Sequence, residues 1–338
     1  MRSLLVIAPS WVGDMVMAQS LFRVLGSGDP ERAIDVLAPG WTLPLLARMP
    51  EVRTAIDLPL GHGELRLGTR RRLAVGLRDR HYEQAIVLPN SLKSALIPFW
   101  ARIPRRTGYV GEMRQWLLND CRRLDKQRLP MTVQRFVALG LPEGAVIPEP
   151  LPYPELVSTQ RDQHAAADRL GVCNQYKPVL ALCPGAEFGT AKQWPEEYYA
   201  RIAKNWLDQD WHVWLFGSVN DVAVCNRINT LAGDGCHNLA GRTSLAEAID
   251  LLAMAAFVVT NDSGLMHVAA ALQRPMVAIY GSSDPGFTPP LAETAHVERL
   301  GLDCSPCFKR ECPLGHLKCL RDLSPERVMT AMEEVMKR

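Results

Sequence analysis

Residues 257–267 read Phe257-Val258-Val259-Thr260-Asn261-Asp262-Ser263-Gly264-Leu265-Met266-His267, an apolar, β-branched run that breaks at a polar turn and resumes at a glycine. The run has the length and composition of a buried strand, and the Asp-Ser-Gly after it has the composition of a helix start. Working outward, the same alternation of short apolar runs and longer amphipathic stretches recurs, as expected for a parallel sheet covered by helices. The first half predicts strands at Leu4–Ala8, Ile34–Leu37, Ala55–Leu58 and Gln84–Leu88. The second half predicts them at Val179–Cys183, His212–Phe216, Phe257–Thr260 and Met276–Tyr280, with a last helix at about Pro325–Met336.

Pro142, Pro148, Pro150, Pro152 and Pro154 crowd the segment between Leu141 and Glu155, which can continue neither helix nor strand. They divide the 338 residues into a domain at 1–150 and another at 151–338, the final helix being expected to pack back on the first domain. With 47% hydrophobic and 22% charged residues the composition is that of a folded globular chain. No apolar stretch reaches the roughly 18 residues that a membrane span needs. Leu4–Ala8, cut short by Pro9, Gly13 and Asp14, reads as a first strand rather than a leader. Nine cysteines, an odd number, fit a reducing compartment, so a cytoplasmic location is expected.

The net charge of +2 hides an asymmetry. Residues 66–135 hold 16 Lys or Arg against Asp79, Glu83, Glu112, Asp120 and Asp125, a local +11 that leaves −9 for the remainder. This is either a solvated arginine-rich surface or a face for an anionic partner. Trp100 and Trp116 beside Arg102, Arg105, Arg106 and Arg114 suit an interface with lipid. The absence of zinc-finger spacing, an aromatic RNA-binding strand and a basic heptad region disfavours nucleic acid.

Open parallel sheets bind ligands at the carboxyl ends of their strands, so the strand-to-helix junctions hold the candidate chemistry. Pro9-Ser10-Trp11-Val12-Gly13-Asp14 puts Asp14 at the start of a helix read as Met15–Leu25. Spacing alone makes Asp14 an N-cap or first-turn residue satisfying free amides, with catalysis as the alternative. The dinucleotide fingerprint is missing, which disfavours a dehydrogenase. Cys183-Pro184-Gly185-Ala186-Glu187-Phe188-Gly189-Thr190-Ala191-Lys192-Gln193-Trp194-Pro195 is either an anion-holding loop or an ordinary turn with a solvated lysine, ahead of a helix starting at Pro195. At the third junction the amides after Asp262, the hydroxyl of Ser263, Gly264 and His267 one turn on suit a diphosphate. Helix capping and a buried imidazole are the rival readings. Near the end, Cys304, Cys307, Cys312 and Cys319, with His316 between them, have a spacing open to tetrahedral zinc or to a reduced loop. That spacing matches no zinc module, and Pro306 and Pro313 already stiffen the loop, so no metal or other cofactor is expected.

Together, Pro-Ser-Trp-Val-Gly-Asp, Pro-Gly-Ala-Glu-Phe-Gly with Lys192-Gln193-Trp194-Pro195, Asn261-Asp262-Ser263-Gly264 with His267, and the cysteine segment resemble the bacterial lipopolysaccharide heptosyltransferases, over essentially the whole chain. The resemblance implies a GT-B fold: two facing Rossmann-like domains with parallel sheets and a cleft, the acceptor bound by the first and the nucleotide sugar by the second. It implies inverting, metal-independent transfer of L-glycero-D-manno-heptose from ADP-heptose to a heptosyl-Kdo-lipid A acceptor at the cytoplasmic face of the inner membrane. Asp14 falls on the family's general base and Lys192 on its donor-phosphate lysine. Asp262, Ser263, Gly264 and His267 fall on its diphosphate-binding motif. Softer correspondences put Thr190 in place of a missing hydroxyl pair, Asp221 at the ribose and Thr243 at the adenine edge. Arg105 and Arg106 are the acceptor-contact candidates. The rival functions are a sister transferase with another acceptor, a nucleotide-sugar epimerase and a noncatalytic lipopolysaccharide-binding protein.

Overall fold

The computed structural model describes residues 3–61, 63–172 and 177–337. It divides into two compact units, Met1–Pro154 and Glu155–Arg338. The first unit runs β1 (Ser3–Ile7), α1 (Val12–Gly28), β2 (Ala33–Pro39), α2 (Leu43–Leu46), β3 (Val52–Leu58), α3 (Leu67–Gly76), β4 (Gln84–Val87), α4 (Leu92–Trp100), β5 (Arg105–Tyr109), β6 (Asp120–Arg122) and α5 (Thr132–Gly140). The second runs α6 (Gln160–Leu170), β7 (Val179–Cys183), α7 (Glu196–Leu207), β8 (His212–Leu215), α8 (Val222–Leu231), β9 (His237–Asn238), α9 (Leu245–Ala253), β10 (Phe257–Asn261), α10 (Gly264–Ala271), β11 (Met276–Ile279), β12 (Ala295–Glu298), α11 (Lys318–Arg321) and α12 (Pro325–Met336).

Each unit carries a six-stranded sheet, ordered β3-β2-β1-β4-β5-β6 in the first and β12-β11-β10-β7-β8-β9 in the second, with every described pairing parallel. Both are Rossmann-like orders. The strand sequence reverses between β1 and β4 in one and between β7 and β10 in the other, which opens a crevice at the carboxyl ends of those strands.

The cores follow from strands buried on both faces. Leu5, Ile7, Leu37, Ala85 and Val87 pack with Ala95 and Ile97 of α4 and with Ala74 and Leu77. Leu180, Leu182, Val213, Leu215, Phe257, Val259, Val277 and Ile279 pack with Tyr199, Ile202 and Ala203 of α7. The final helix, α12, contributes to the core of the second unit. Its apolar stripe, Val328, Ala331, Met332 and Val335, is buried in the core of its own unit. A stripe of four apolar residues on one face has a single core to cover.

The arginine-rich stretch also resolves differently from a plain binding face. Arg70 donates to Leu65 and Glu64 carbonyls, Arg78 to Trp100, and Arg106 to Leu117 and Ile103. Arg114 donates to Tyr109 and Pro89, Arg122 to Ala138 and Leu141, Arg128 to Gly144 and Ala145, and Arg135 to Leu129 and Pro130. A guanidinium has five donors in a fixed fork and suits this stapling of carbonyls that no ladder satisfies.

Candidate active site

In the first unit, β1 ends at Ile7 and the chain turns into α1, whose cap position is Trp11 and whose third residue is Asp14. The helix starts three residues earlier than expected, so Asp14 lies inside the first turn rather than at the cap. There its half-buried carboxylate faces the positive end of the helix, at the edge of the sheet where the crevice opens. Trp41 donates from Nε1 to the Ser10 carbonyl at 3.0 Å and fixes the approach to this turn.

Arg105 and Arg106 are not brought to that edge. They open β5 and pair with Gln84 and Ala85 at the start of β4, which puts them at the amino ends of the strands. Arg105 is held by Asp120 at 2.8 Å, and Arg106 lies over the Phe99 ring with its guanidinium on main-chain carbonyls. Asp120 is itself burdened by burial, yet bonds from Arg122, Arg105 and Thr107 hold it down to about 2. Strand direction sends these two arginines to the opposite edge from Asp14.

In the second unit every donor-side candidate follows the carboxyl end of a strand. Thr190 and Lys192 follow β7, Asp221 follows β8, Thr243 follows β9, and Asp262, Ser263, Gly264 and His267 follow β10. Lys192 closes a short 3-10 turn, Thr190–Lys192, and its Nζ meets Asp262 Oδ2 at 2.6 Å with both side chains largely buried. The same Nζ lies 5.2 Å from the Phe188 ring centroid, and Arg310 covers that ring at 5.4 Å. Asp262 precedes α10, whose cap, Ser263, makes no side-chain bond to the helix. The first-turn amides have no intrahelical acceptor and point with the dipole toward this pair. His267 is buried in α10. Burial pushes its imidazole down to about 4, against the pull of Asp262 and with the help of Lys192, so at neutral pH it is an uncharged donor or acceptor.

Asp221 lies in a fitted niche. Its Oδ2 accepts from the N–H and Oγ of Ser218, both at 2.8 Å, and a Cβ on Gly185 or on Gly217 would come within 2.6 Å of it. Thr190 is exposed, and Thr243 is half-buried just before Ser244, the cap of α9. Pro195 is the cap of α7 rather than its first residue.

The residue that sequence reading left without a role is Asn261. Fully buried, it accepts from the Trp194 N–H at 3.2 Å and the Tyr199 hydroxyl at 3.0 Å, and donates to the Pro184 carbonyl at 2.6 Å. One amide therefore ties the β10 end to both ends of the Lys192 loop. An Asn ending an otherwise apolar strand was the available signal.

The model of glycosyltransferase family 9 (heptosyltransferase) matches residues 70–318. The chain belongs to this family. Among its relatives, the lipopolysaccharide heptosyltransferase 2 of Escherichia coli (strain K12) is 48% identical over 347 residues, covering 98% of both chains. The lipopolysaccharide heptosyltransferase 1 of Pseudomonas aeruginosa is 30% identical over 301 residues, covering 80% of this chain and 79% of that one. The solved structure of the E. coli ADP-heptose lps heptosyltransferase II superposes with a TM-score of 0.88 at 44% identity, over 99% and 98% of the two chains. This heptosyltransferase-family chain thus has the expected α/β class, with two Rossmann-like parallel sheets in the manner of GT-B enzymes.

Proposed function

We propose that the chain is an ADP-heptose:lipopolysaccharide heptosyltransferase of type II, moving L-glycero-D-manno-heptose from ADP-heptose to the first heptose of the inner core. The observation that carries the reading is its likeness to type 2 enzymes at 48% identity over 98% of both chains, against 30% over about four-fifths for a type 1 enzyme. The acceptor is then heptosyl-Kdo-lipid A, met at the cytoplasmic face of the inner membrane. No described helix is long and apolar enough to cross a membrane, so contact with that face is peripheral in this reading.

The proposed chemistry is a single inverting displacement. The Asp14 carboxylate takes the proton of the acceptor hydroxyl as its oxygen attacks the anomeric carbon from the face opposite the diphosphate. The bond from that carbon to the β-phosphate oxygen breaks, and ADP departs with the electron pair. Lys192 and the first-turn amides of α10 receive the charge, and neutral His267 adds at most one N–H. In the absence of donor, Asp262 keeps the Lys192 ammonium in position. Thr190, Asp221 and Thr243 serve the adenosine side from the same sheet edge, Asp221 with the oxygen that Ser218 leaves over. The route draws its positive charge from the chain, a task that a divalent ion performs elsewhere, so turnover is expected to survive chelation with the fold intact.

The deciding experiment measures ADP release with ADP-heptose and truncated lipopolysaccharides that carry zero, one or two heptoses. Turnover on the one-heptose acceptor is expected. Turnover on the heptose-free acceptor instead would reassign the chain to type I, and free heptose without transfer would point to an epimerase-like path.

A further inference from the structure

Residues 299–317, between β12 and α11, contain neither helix nor strand, yet two of them are pinned to the donor-side edge of the second unit. The Phe308 N–H donates to the Ser282 carbonyl at 2.7 Å, just beyond β11, and the Phe308 ring meets that of Phe287 edge-on at 6.1 Å. The Arg310 carbonyl accepts from the Ala191 N–H at 3.0 Å, in the middle of the turn that ends at Lys192. Gly189 shows how close that approach is. Its φ of +151° suits glycine, and a Cβ there would run into the Arg310 main chain. Arg310 is therefore placed beside Lys192 by its backbone, which leaves its side chain available for another task.

That side chain is exposed, and its guanidinium lies over the Phe188 ring at 5.4 Å, the ring that Lys192 Nζ approaches to 5.2 Å. Among the described residues no carboxylate is paired with it. An aromatic face holds a cation in place without cancelling its charge, as a carboxylate would. The charge is needed here. Lys192 is the one cation among the donor-side residues already placed, and Asp262 cancels it at 2.6 Å. Asp221 adds negative charge, and so does Glu187, which its neighbour Asn220 reaches. His267 is uncharged at neutral pH. The set is net negative, which opposes a nucleoside diphosphate, and the dipole of α10 offsets only part of this.

We infer that the Arg310 guanidinium binds the β-phosphate of the nucleotide sugar beside Lys192 and stays on it as ADP departs, which rests on the proposed use of ADP-heptose. Phe188 keeps the guanidinium at the site until the donor arrives. A bidentate, charge-assisted pair with phosphate is stronger than an exposed cation–ring contact, so the donor draws the guanidinium toward itself. No bond to Arg310 forms or breaks. It adds to Lys192 the positive charge that Asp262 takes away, and the loop of residues 299–317 becomes part of the donor site through this one side chain.

Calorimetric titration of the full chain with ADP and with AMP, which lacks the β-phosphate, tests this without acceptor or turnover. Arg310→Gln should weaken ADP by about 10-fold or more, the loss of one charge-assisted bond, and leave AMP within about 2-fold of wild type. Arg310→Lys, which keeps the charge, should restore part of the ADP affinity. The carbonyl that holds Ala191 is main chain and survives both substitutions. Should the variants fail to fold, the wild-type chain decides: ADP should protect Arg310 from phenylglyoxal, read by peptide mass spectrometry, and AMP should not. Wild-type binding of ADP with an unchanged Arg310→Gln affinity, equal weakening of ADP and AMP, or no protection by ADP would each overturn the inference alone. A wild-type chain that binds neither nucleotide would overturn it together with the functional proposal.

Discussion

Asp14 can be tested as a base separately from its place in a helix. Because the cap is Trp11 and Asp14 is the third helical residue, Asp14→Asn keeps a side chain of the same shape and removes a favourable charge–dipole contribution of about 1 kcal/mol or less. Its rate is expected to fall by about 10² to 10⁴, since an amide accepts no proton at neutral pH. A thermal melt beside kcat separates the two effects, and an Asn variant with unchanged kcat would remove the base assignment. Lys192→Ala should slow turnover by about 10² to 10³, the loss of one preorganised charge. Equal kcat/KM in that variant would take Lys192 out of the site. His267 predicts a pH window. The unfolded chain takes up a proton as pH falls through 6.5, whereas the buried imidazole refuses it until about 4. Stability contributed by neutral His267 is therefore present above pH 6.5 and lost between 6.5 and 4, by about 3 kcal/mol in all. Denaturant titrations of His267→Asn across that range should show this part of the slope gone. The positions of these residues were legible because junction residues sit at fixed places in a strand–turn–helix unit. The position of Arg105 and Arg106 was not, because arginine density along a chain carries no information about which end of a strand faces the crevice.

Elements divide along the same line. The apolar strands β1, β2, β4, β7, β8, β10 and β11 were readable from composition because parallel strands buried on both faces are continuous hydrophobic runs. Unpredicted were β5 (Arg-Arg-Thr-Gly-Tyr), β6 (Asp-Cys-Arg), β9 (His-Asn) and β12 (Ala-His-Val-Glu), short and polar because they lie toward or at the sheet edges. Their pairing is imposed by the sheet beside them rather than by their own pattern. The Lys192 loop behaves as an element as well, since Asn261 grips it at Pro184 and Trp194. Asn261→Ala leaves a buried N–H, hydroxyl and carbonyl unpaired. It should cost about 3 kcal/mol and make amide exchange in residues 184–194 faster, which hydrogen-exchange mass spectrometry reads. Unchanged exchange there would show that the loop is held by other contacts.

For the whole molecule, charge is unevenly divided. The +11 of residues 66–135 persists although many of its arginines are tied to carbonyls, because hydrogen bonding does not discharge a guanidinium. An anionic acceptor drawn to the first unit should show a KM that rises with ionic strength, as the Debye length falls to about 8 Å at physiological salt. The KM for ADP-heptose should change less. Equal salt dependence of the two would sink the assignment of the acceptor to this unit. Two units with Rossmann-like sheets were legible at this scale because each repeats the same alternation. Which core the stripe of α12 covers was not legible, because an amphipathic stripe does not name it.

Six of the eight tryptophans are sorted sharply between the units, Trp100 and Trp211 being half-buried in one unit each. Trp194, Trp206 and Trp214 are sealed in the second core, whereas Trp11, Trp41 and Trp116 of the first unit stand 46%, 45% and 82% exposed. An indole in a dry, rigid setting emits further to the blue than one in contact with water, and a dissolved quencher such as iodide reaches only the latter. Unquenched blue emission therefore reports the integrity of the second unit, and the quenchable red component is weighted to the first, without a label on either.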